Sequence, residues 1–146
     1  MREIVCKSEE ETVQFAKQLA KQLHGGELIA LFGGMGMGKT AFVRGLCEGL
    51  CYPGEVSSPT FAIVQEYRGG RLPVYHFDMY RVTDWDSLYS TGFFEYLESG
   101  GVTVTEWSEN IEGALPDTYI KIQFRLGEKD SERVLTVENE NADFGN

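Results

Sequence analysis

Leu28–Thr40 reads L-I-A-L-F-G-G-M-G-M-G-K-T, and this stretch decides the fold. It opens with a continuous apolar run, which is typical of a central strand covered on both faces. A glycine-rich loop follows at once, and Ala41–Leu50 has the pattern of a helix. A strand, a glycine loop and a helix in direct succession predict a phosphate-binding loop, or P-loop, in a nucleotide-binding α/β domain.

The loop itself follows the pattern Gly33, four further residues, Gly38, Lys39 and Thr40. Glycines let the backbone approach phosphate oxygens that a Cβ would obstruct, and the helix N-terminus favours negative charge. Lys39 is expected to reach the β- and γ-phosphates, and the Thr40 hydroxyl is expected to be a magnesium ligand. The predicted nucleotide contacts are Gly33, Gly34, Met35, Gly36, Met37, Gly38, Lys39, Thr40 and Ala41.

Two acidic residues end predicted strands. Asp78 follows Val74–Phe77, and Glu106 follows Val102–Thr105. P-loop enzymes hold magnesium with an acid placed at such a position, directly or through water. Because the carboxyl ends of strands line the ligand crevice of an open α/β sheet, both carboxylates are expected near the glycine loop. Either carboxylate also fits an ordinary solvated side chain at a strand end. The residue types alone do not distinguish which of the two would bind the metal.

A third candidate element is Ser57–Phe61, which reads S-S-P-T-F and lies between the P-loop helix and the next strand. GTPases and many ATPases keep a switch segment at this place. Thr60 would there meet magnesium or the γ-phosphate. Taken alone, a Ser-Pro-Thr stretch is more typical of an ordinary turn.

The rest of the chain supplies the outer elements. A capping-box pattern at Ser8–Glu11 begins a helix that is predicted to reach about Leu23. The further predicted strands are 2–6, 61–67, 72–77, 101–105, 120–126 and 133–137, with a partly helical, aromatic-rich segment at 84–98. We expect a three-layer α/β fold, with a mixed sheet flanked by helices, in one domain over residues 1–138. A loose polar tail is expected at 139–146.

The formal net charge of −10 bears on partners. A protein that binds nucleic acid by itself usually carries a basic patch, whereas the lysines and arginines here are scattered. We therefore expect RNA contact only through a partner, and no DNA contact. The sequence has neither a long apolar run nor a signal-peptide core, which predicts a cytoplasmic protein without membrane association. Of the three cysteines, Cys6, Cys47 and Cys51, the last two are expected to be reduced, partly buried thiols and not a metal site.

Four sequence blocks together resemble the bacterial TsaE family, the ATPase of tRNA threonylcarbamoyladenosine biosynthesis. They are G-G-M-G-M-G-K-T-A-F-V-R-G-L from Gly33, S-S-P-T-F-A-I-V-Q-E-Y from Ser57, H-F-D-M-Y-R from His76 and V-T-E-W from Val104. The blocks follow the family's order and spacing from about Gly26 to Trp107. The family often has Asp or Glu where Gly34 stands, so one carboxylate near the phosphates is replaced here.

The resemblance implies a protein that binds ATP and Mg²⁺ and hydrolyses ATP slowly. It implies two partners, the TsaB and TsaD proteins, which modify the adenosine beside the tRNA anticodon. It further implies catalytic roles for Lys39, Asp78 and Thr60, with Asp78 or Thr60 placing the attacking water. Thr40 and Glu106 would hold the metal. Trp107 is assigned to the nucleotide site, although packing in the core is equally consistent with its position.

Three other interpretations deserve comparison. A nucleotide-gated binding module without significant turnover would use ATP only to order Ser57–Phe61 and change partner affinity. A small-molecule kinase needs an arginine-bearing lid and a second substrate pocket, for which little of the chain remains. A GTPase would be expected to carry an Asn-Lys-x-Asp stretch, which does not occur in the sequence.

Overall fold

The computed structural model describes residues 1–34, 36–57 and 63–140. The strands in these ranges are β1 Arg2–Cys6, β2 Leu28–Phe32, β3 Val64–Tyr67, β4 Val74–Asp78, β5 Val102–Glu106, β6 Ile120–Leu126 and β7 Arg133–Glu138. They form one sheet in the order β1-β7-β6-β2-β5-β4-β3. The sheet is mixed, as predicted, because its interior pairs are parallel and its outer pairs are antiparallel.

The central strand is β2, which pairs in parallel with β5 on one side and with β6 on the other. All of its residues are buried, in agreement with the apolar run that predicts a strand covered on both faces. β4 continues the parallel set beyond β5. The carboxyl ends of β2, β4, β5 and β6 therefore lie at the same edge of the sheet, and the glycine loop leaves from that edge.

Helices cover both faces of the sheet, which confirms the three-layer prediction. The longer helices, α1 Glu9–Ala20 and α2 Lys39–Gly49, share one buried cluster with the inner strands. A second buried cluster on the opposite face is formed by α3 Trp85–Ser90, α4 Phe93–Leu97 and the 3₁₀ segment Ser108–Ala114. Within the described part of the chain, no helix is long and apolar enough to cross a membrane.

The first helix is shorter than its sequence pattern predicts, since α1 ends at Ala20 and not near Leu23. Lys21, Gln22 and Leu23 instead donate their N–H groups to carbonyls three residues back, in tighter turns. The Arg71 guanidinium, which comes from the β3–β4 hairpin, donates to the Leu23 and Ala20 carbonyls at 2.9 and 2.8 Å. A distant side chain thus satisfies the carbonyls at this helix end.

Other boundaries shift by a few residues. α2 begins at Lys39, two residues before the predicted start, so the motif lysine opens the helix. β4 and β5 run one residue further than predicted and end on Asp78 and Glu106 themselves. The 3₁₀ segment was not predicted. The predicted strand 61–67 is observed as Val64–Tyr67, while 58–62 and most of the predicted tail lie outside the described residues.

The cysteines occupy different environments. Cys6 and Cys47 are buried, whereas Cys51 is exposed. Burial raises the pKa of Cys47 to about 12 and also raises the pKa of Cys6. Both buried thiols are therefore neutral at physiological pH and pack as small apolar side chains.

α1 and α2 pack with their backbones in unusually close approach. A Cβ added to Gly45 would lie 2.4 Å from the Val13 carbonyl oxygen and 2.7 Å from the Ala16 Cβ. One turn later, a Cβ on Gly49 would lie 2.7 Å from the Ala20 Cβ. The two helices can pack this closely because α2 has glycines and α1 has alanines at the contact, where larger side chains would hold the helices apart.

We expect Gly45→Ala to lower the free energy of unfolding by about 1–3 kcal/mol, the usual cost of overpacking a core. The loss should outweigh the gain of about 1 kcal/mol in helix propensity, because the new methyl group meets a backbone carbonyl. Urea unfolding followed by circular dichroism measures the change.

Gly113→Ala is the matched control. A Cβ at Gly113 would meet no atom within 4 Å, so this variant should be as stable as the unaltered protein. A Gly45→Ala protein that unfolds at the same urea concentration as the Gly113→Ala control would contradict the close contact.

Candidate functional site

The carboxyl edge of the sheet opens into a cavity of about 670 Å³. Its walls are the glycine loop, the ends of β4 and β5, the start of α1, and the β6–β7 turn. Of the residues predicted to form the site, it is lined by Gly36, Met37, Gly38, Lys39, Thr40, Ala41, Asp78, Glu106 and Trp107. Gly33 and Gly34 lie in the loop but do not line the cavity. Met35 and Thr60 lie outside the described residues.

The glycine loop depends on backbone angles that side chains rarely adopt. Gly33, Gly36 and Gly38 have φ values of 136°, 76° and 94°. Gly38 is the N-cap of α2 and offers no side-chain acceptor to the first helical turn. The amide groups of that turn are consequently left to an outside acceptor, which is the arrangement that binds anions at helix N-termini.

The main chain of Gly33 is fixed from both sides. Its N–H donates to the Glu109 carboxylate at 2.9 Å, and its carbonyl accepts from the Lys39 ammonium at 2.7 Å. A Cβ at Gly33 would lie 3.0 Å from the Phe124 Cβ on β6, so the loop also packs closely against the sheet. Glu109 is a site residue that sequence reasoning missed, because the 3₁₀ segment that presents it carries no recognisable pattern.

Lys39 is a buried cation, only 5% exposed. Burial lowers the pKa of Lys39, while the nearby charges of Glu106, Glu109 and Asp78 oppose that shift. The ammonium nitrogen also lies 4.8 Å from the centre of the Trp107 ring, within the range of a cation–π contact. Partial desolvation strengthens the field that Lys39 exerts on a negatively charged ligand.

Asp78 and Glu106 lie directly opposite each other in the parallel register of β4 and β5. Each carboxylate uses one oxygen within the protein. Asp78 Oδ1 accepts from the Tyr80 N–H at 2.9 Å, and Glu106 Oε2 is 2.5 Å from His76 Nε2. Two strand-end acids therefore reach the cavity together, as the sequence predicts.

Trp107 turns the chain out of β5. Its backbone is left-handed, with φ 57° and ψ 41°, and this conformation leads into the 3₁₀ segment. The indole packs on the Tyr80 ring at a centroid distance of 5.0 Å and against the second buried cluster. Trp107 thus lines the cavity and also packs against the second buried cluster.

Two cavity walls were not foreseen from the sequence. Ser8, Glu9 and Thr12 come from the start of α1, and Ser131 and Arg133 come from the β6–β7 turn and the start of β7. These residues are distant in sequence from the glycine loop and share no motif with it. Only the folding of α1 and the β6–β7 hairpin over the same sheet edge brings them together.

Arg133 links this hairpin to the glycine loop. Its guanidinium donates to the Asp130 and Glu132 carbonyls at 2.6 and 2.8 Å, and to the Gly36 carbonyl at 3.3 Å. These bonds order the turn and hold it beside the loop. They also occupy much of the donor capacity of the guanidinium.

The chemistry of the cavity suits a phosphate ester and a hard divalent cation. Glycine-loop amides and Lys39 are donors for phosphate oxygens. The Thr40 hydroxyl and the carboxylates of Asp78 and Glu106 are oxygen ligands of the kind that Mg²⁺ prefers.

Comparison with known proteins gives consistent results in sequence and in structure. The family model for "Threonylcarbamoyl adenosine biosynthesis protein TsaE" matches residues 6–135. The tRNA threonylcarbamoyladenosine biosynthesis protein TsaE of Bacillus subtilis is 40% identical over 127 residues, which cover 87% of this chain and 78% of that protein. Its counterpart in Rickettsia bellii is 37% identical over 139 residues, covering 93% and 94%.

Among solved structures, the crystal structure of YdiB from Bacillus subtilis superposes with a TM-score of 0.77 at 34% identity. The superposition covers 93% of this chain and 83% of that chain. The mixed sheet and its flanking helices are thus shared with a protein of related sequence.

The bond between Glu109 and the Gly33 amide is directly testable. We expect Glu109→Ala to accelerate hydrogen exchange of the Gly33 amide at least fivefold, since a hydrogen bond of this kind is worth about 1 kcal/mol. Exchange is measured by NMR on uniformly ¹⁵N-labelled protein.

Glu112→Ala, which removes an exposed carboxylate from the same 3₁₀ segment, is the control and should leave the Gly33 exchange rate unchanged. Equal exchange rates in both variants would show that Glu109 does not restrain the loop.

Proposed function

The chain belongs to the TsaE family of threonylcarbamoyl adenosine biosynthesis proteins, and on that premise we propose that it is a Mg²⁺-dependent ATPase of low intrinsic activity. Its ATP use would serve the formation of threonylcarbamoyladenosine in tRNA. The observation that carries the proposal is the convergence of Lys39, Thr40, Asp78 and Glu106 with the glycine loop on one cavity.

The glycine loop would hold the phosphates of ATP. A Cβ added to Gly34, Gly36 or Gly38 would meet no atom within 4 Å, so these positions border open space. The amides at the start of α2 and the buried ammonium of Lys39 would then donate to phosphate oxygens. The more distant walls, with Ser8, Thr12 and Arg133, would face the remainder of the nucleotide.

Thr40 and Glu106 would hold Mg²⁺, with Asp78 beside them. The bound ion would offset the negative charge that develops on the phosphate oxygens during transfer to water. Asp78 is well suited to orient that water, because the Tyr80 N–H fixes one of its oxygens and leaves the other available. Trp107 and Tyr80 would limit the access of bulk water to this end of the cavity. A role for Thr60 in placing the water remains part of the proposal.

Slow turnover by the isolated protein follows from the same set of residues. Rapid phosphoryl transfer commonly uses an arginine that contacts the transferred group. Arg133 is the arginine that lines the cavity within the described residues, and its guanidinium is bonded to three backbone carbonyls. Faster hydrolysis would then require a contribution from a partner.

We further propose that TsaB and TsaD are those partners and that this protein meets tRNA only through them. The formal net charge of −10 disfavours direct binding to a phosphate backbone. A cytoplasmic location is consistent with a role in tRNA modification.

We expect Lys39→Ala to lower ATP hydrolysis by about 10²–10³-fold, as removal of a single charge-stabilising donor commonly does. The same variant should fail to sustain repeated threonylcarbamoyl transfer to tRNA by the TsaB and TsaD proteins, supplied with the TsaC-type synthase that works with them. The assay follows modified tRNA over many turnovers, with and without the protein.

Lys21→Ala, which removes an exposed lysine beyond the end of α1, is the matched control and should behave as the unaltered protein. If the Lys39→Ala protein sustains as many cycles, hydrolysis is not its contribution and nucleotide-gated binding becomes the better account. If ATP hydrolysis by the unaltered protein is not detectable with partners present, the ATPase assignment is wrong.

A further inference from the structure

His76 is a fully buried polar side chain immediately beside the cavity. It has 0% exposure and lies on β4, two residues before Asp78 and hence on the same face of the strand. Burial of a polar ring among apolar residues is costly unless its nitrogens are hydrogen-bonded. The partners of the two ring nitrogens therefore indicate why a histidine stands here.

The first partner is the strand-end acid. His76 Nε2 lies 2.5 Å from Glu106 Oε2, within hydrogen-bonding distance. With a proton on Nε2, the ring donates to the carboxylate and Nδ1 remains on the opposite side of the ring. One carboxylate oxygen of Glu106 is thereby committed to the protein interior.

The second partner is Tyr67, whose hydroxyl lies 3.4 Å from His76 Nδ1. The same hydroxyl is 2.8 Å from the Ser57 carbonyl oxygen and 2.7 Å from Gln65 Oε1. Burial raises the pKa of Tyr67 to about 12, so the hydroxyl keeps its proton. Tyr67 is itself only 4% exposed, and its ring packs against Tyr52 at a centroid distance of 5.2 Å.

Glu106 needs such support more than Asp78 does. A glutamate side chain has three rotatable bonds, and it loses conformational entropy when its carboxylate is held in one orientation. Asp78 is shorter and is fixed locally by the Tyr80 N–H, two residues along the chain. The restraint on Glu106 comes instead from the neighbouring strand, through the imidazole of His76.

We propose that His76 is a positioning residue for the magnesium site, holding the Glu106 carboxylate in place while Tyr67 supports the ring from behind. The Tyr67 hydroxyl, with a single proton to donate, lies behind the ring within reach of His76 Nδ1 and of the Ser57 carbonyl oxygen. The inference rests on the proposed function and deepens it, because it assigns the orientation of the metal-binding acid to a residue that does not touch the ligand. Removing a residue that hydrogen-bonds to a metal ligand typically lowers metal affinity or activity 10–100-fold.

Two substitutions at His76 separate this role from simple core packing. The amide nitrogen of a glutamine reaches about as far from the backbone as Nε2 does, so His76→Gln keeps a donor for Glu106. An asparagine reaches only about as far as Nδ1, so His76→Asn loses that donor. The readout is the Mg²⁺ concentration that gives half-maximal ATP hydrolysis, together with kcat, and thermal unfolding of each variant confirms that it is folded.

We expect His76→Asn to raise the required Mg²⁺ concentration 10–100-fold, and His76→Gln to stay within about threefold of the unaltered protein. Tyr67→Phe, which keeps the Glu106 bond, should fall between the two. An unchanged Mg²⁺ requirement in His76→Asn, or equal losses in the Asn and Gln variants, would overturn the inference. The unaltered protein and the Lys39→Ala variant are assayed in the same experiment. If the unaltered protein hydrolyses no ATP, the ATPase proposal fails, and this result is distinct from a failure of the His76 inference.

NMR of the imidazole provides a test that needs neither hydrolysis nor a folded Asn variant. The chain has 2 histidines, so a His24→Gln background leaves His76 as the single imidazole. We expect a strongly downfield, slowly exchanging proton on Nε2 of His76. It should disappear in Glu106→Ala. A ring that shows no such proton, or one that persists in Glu106→Ala, would overturn the proposed restraint.

Discussion

Parallel pairing through the middle of the sheet is the constraint on which the site depends. β2 is bonded on one side to β5 and on the other to β6, and β5 is bonded to β4. Strands joined in this way end at the same edge, which brings the glycine loop, Asp78 and Glu106 together. Shifting one strand by a residue would turn its acid to the other face of the sheet.

The electrostatics of the site follow from how deeply this edge is enclosed. Lys39 opens α2 at 5% exposure, with three carboxylates near enough to affect its pKa. The lysine also bonds the Gly33 carbonyl, whose own N–H is held by Glu109. Lys39, the Gly33 peptide and Glu109 are thus joined by consecutive hydrogen bonds. Any polyanionic ligand would exchange some of these internal contacts for its own.

The sequence predicts those features whose causes are local. An apolar run predicts the buried β2, alternation predicts β6, and glycines followed by Lys39 and Thr40 predict the loop. Glu109 and Arg133 were not predicted as site residues because their partners in the glycine loop are distant in sequence. Glu109 bonds a residue 76 positions away, and Arg133 bonds one 97 positions away. The early end of α1 has the same kind of cause, since Arg71 reaches its last carbonyls from another hairpin. Periodicity indicates which face of an element is buried, but it does not identify what that face meets.

The glycine–alanine contact between α1 and α2 also sets the width of the cavity. α1 supplies one wall with Ser8 and Thr12, and α2 supplies the facing wall with Lys39 and Thr40. Because the two backbones touch at Gly45 and Gly49, these walls cannot move closer together. Enlarging either glycine would move them apart. Two glycines that do not line the cavity thus limit how closely its walls can approach, and a search for altered selectivity should include them.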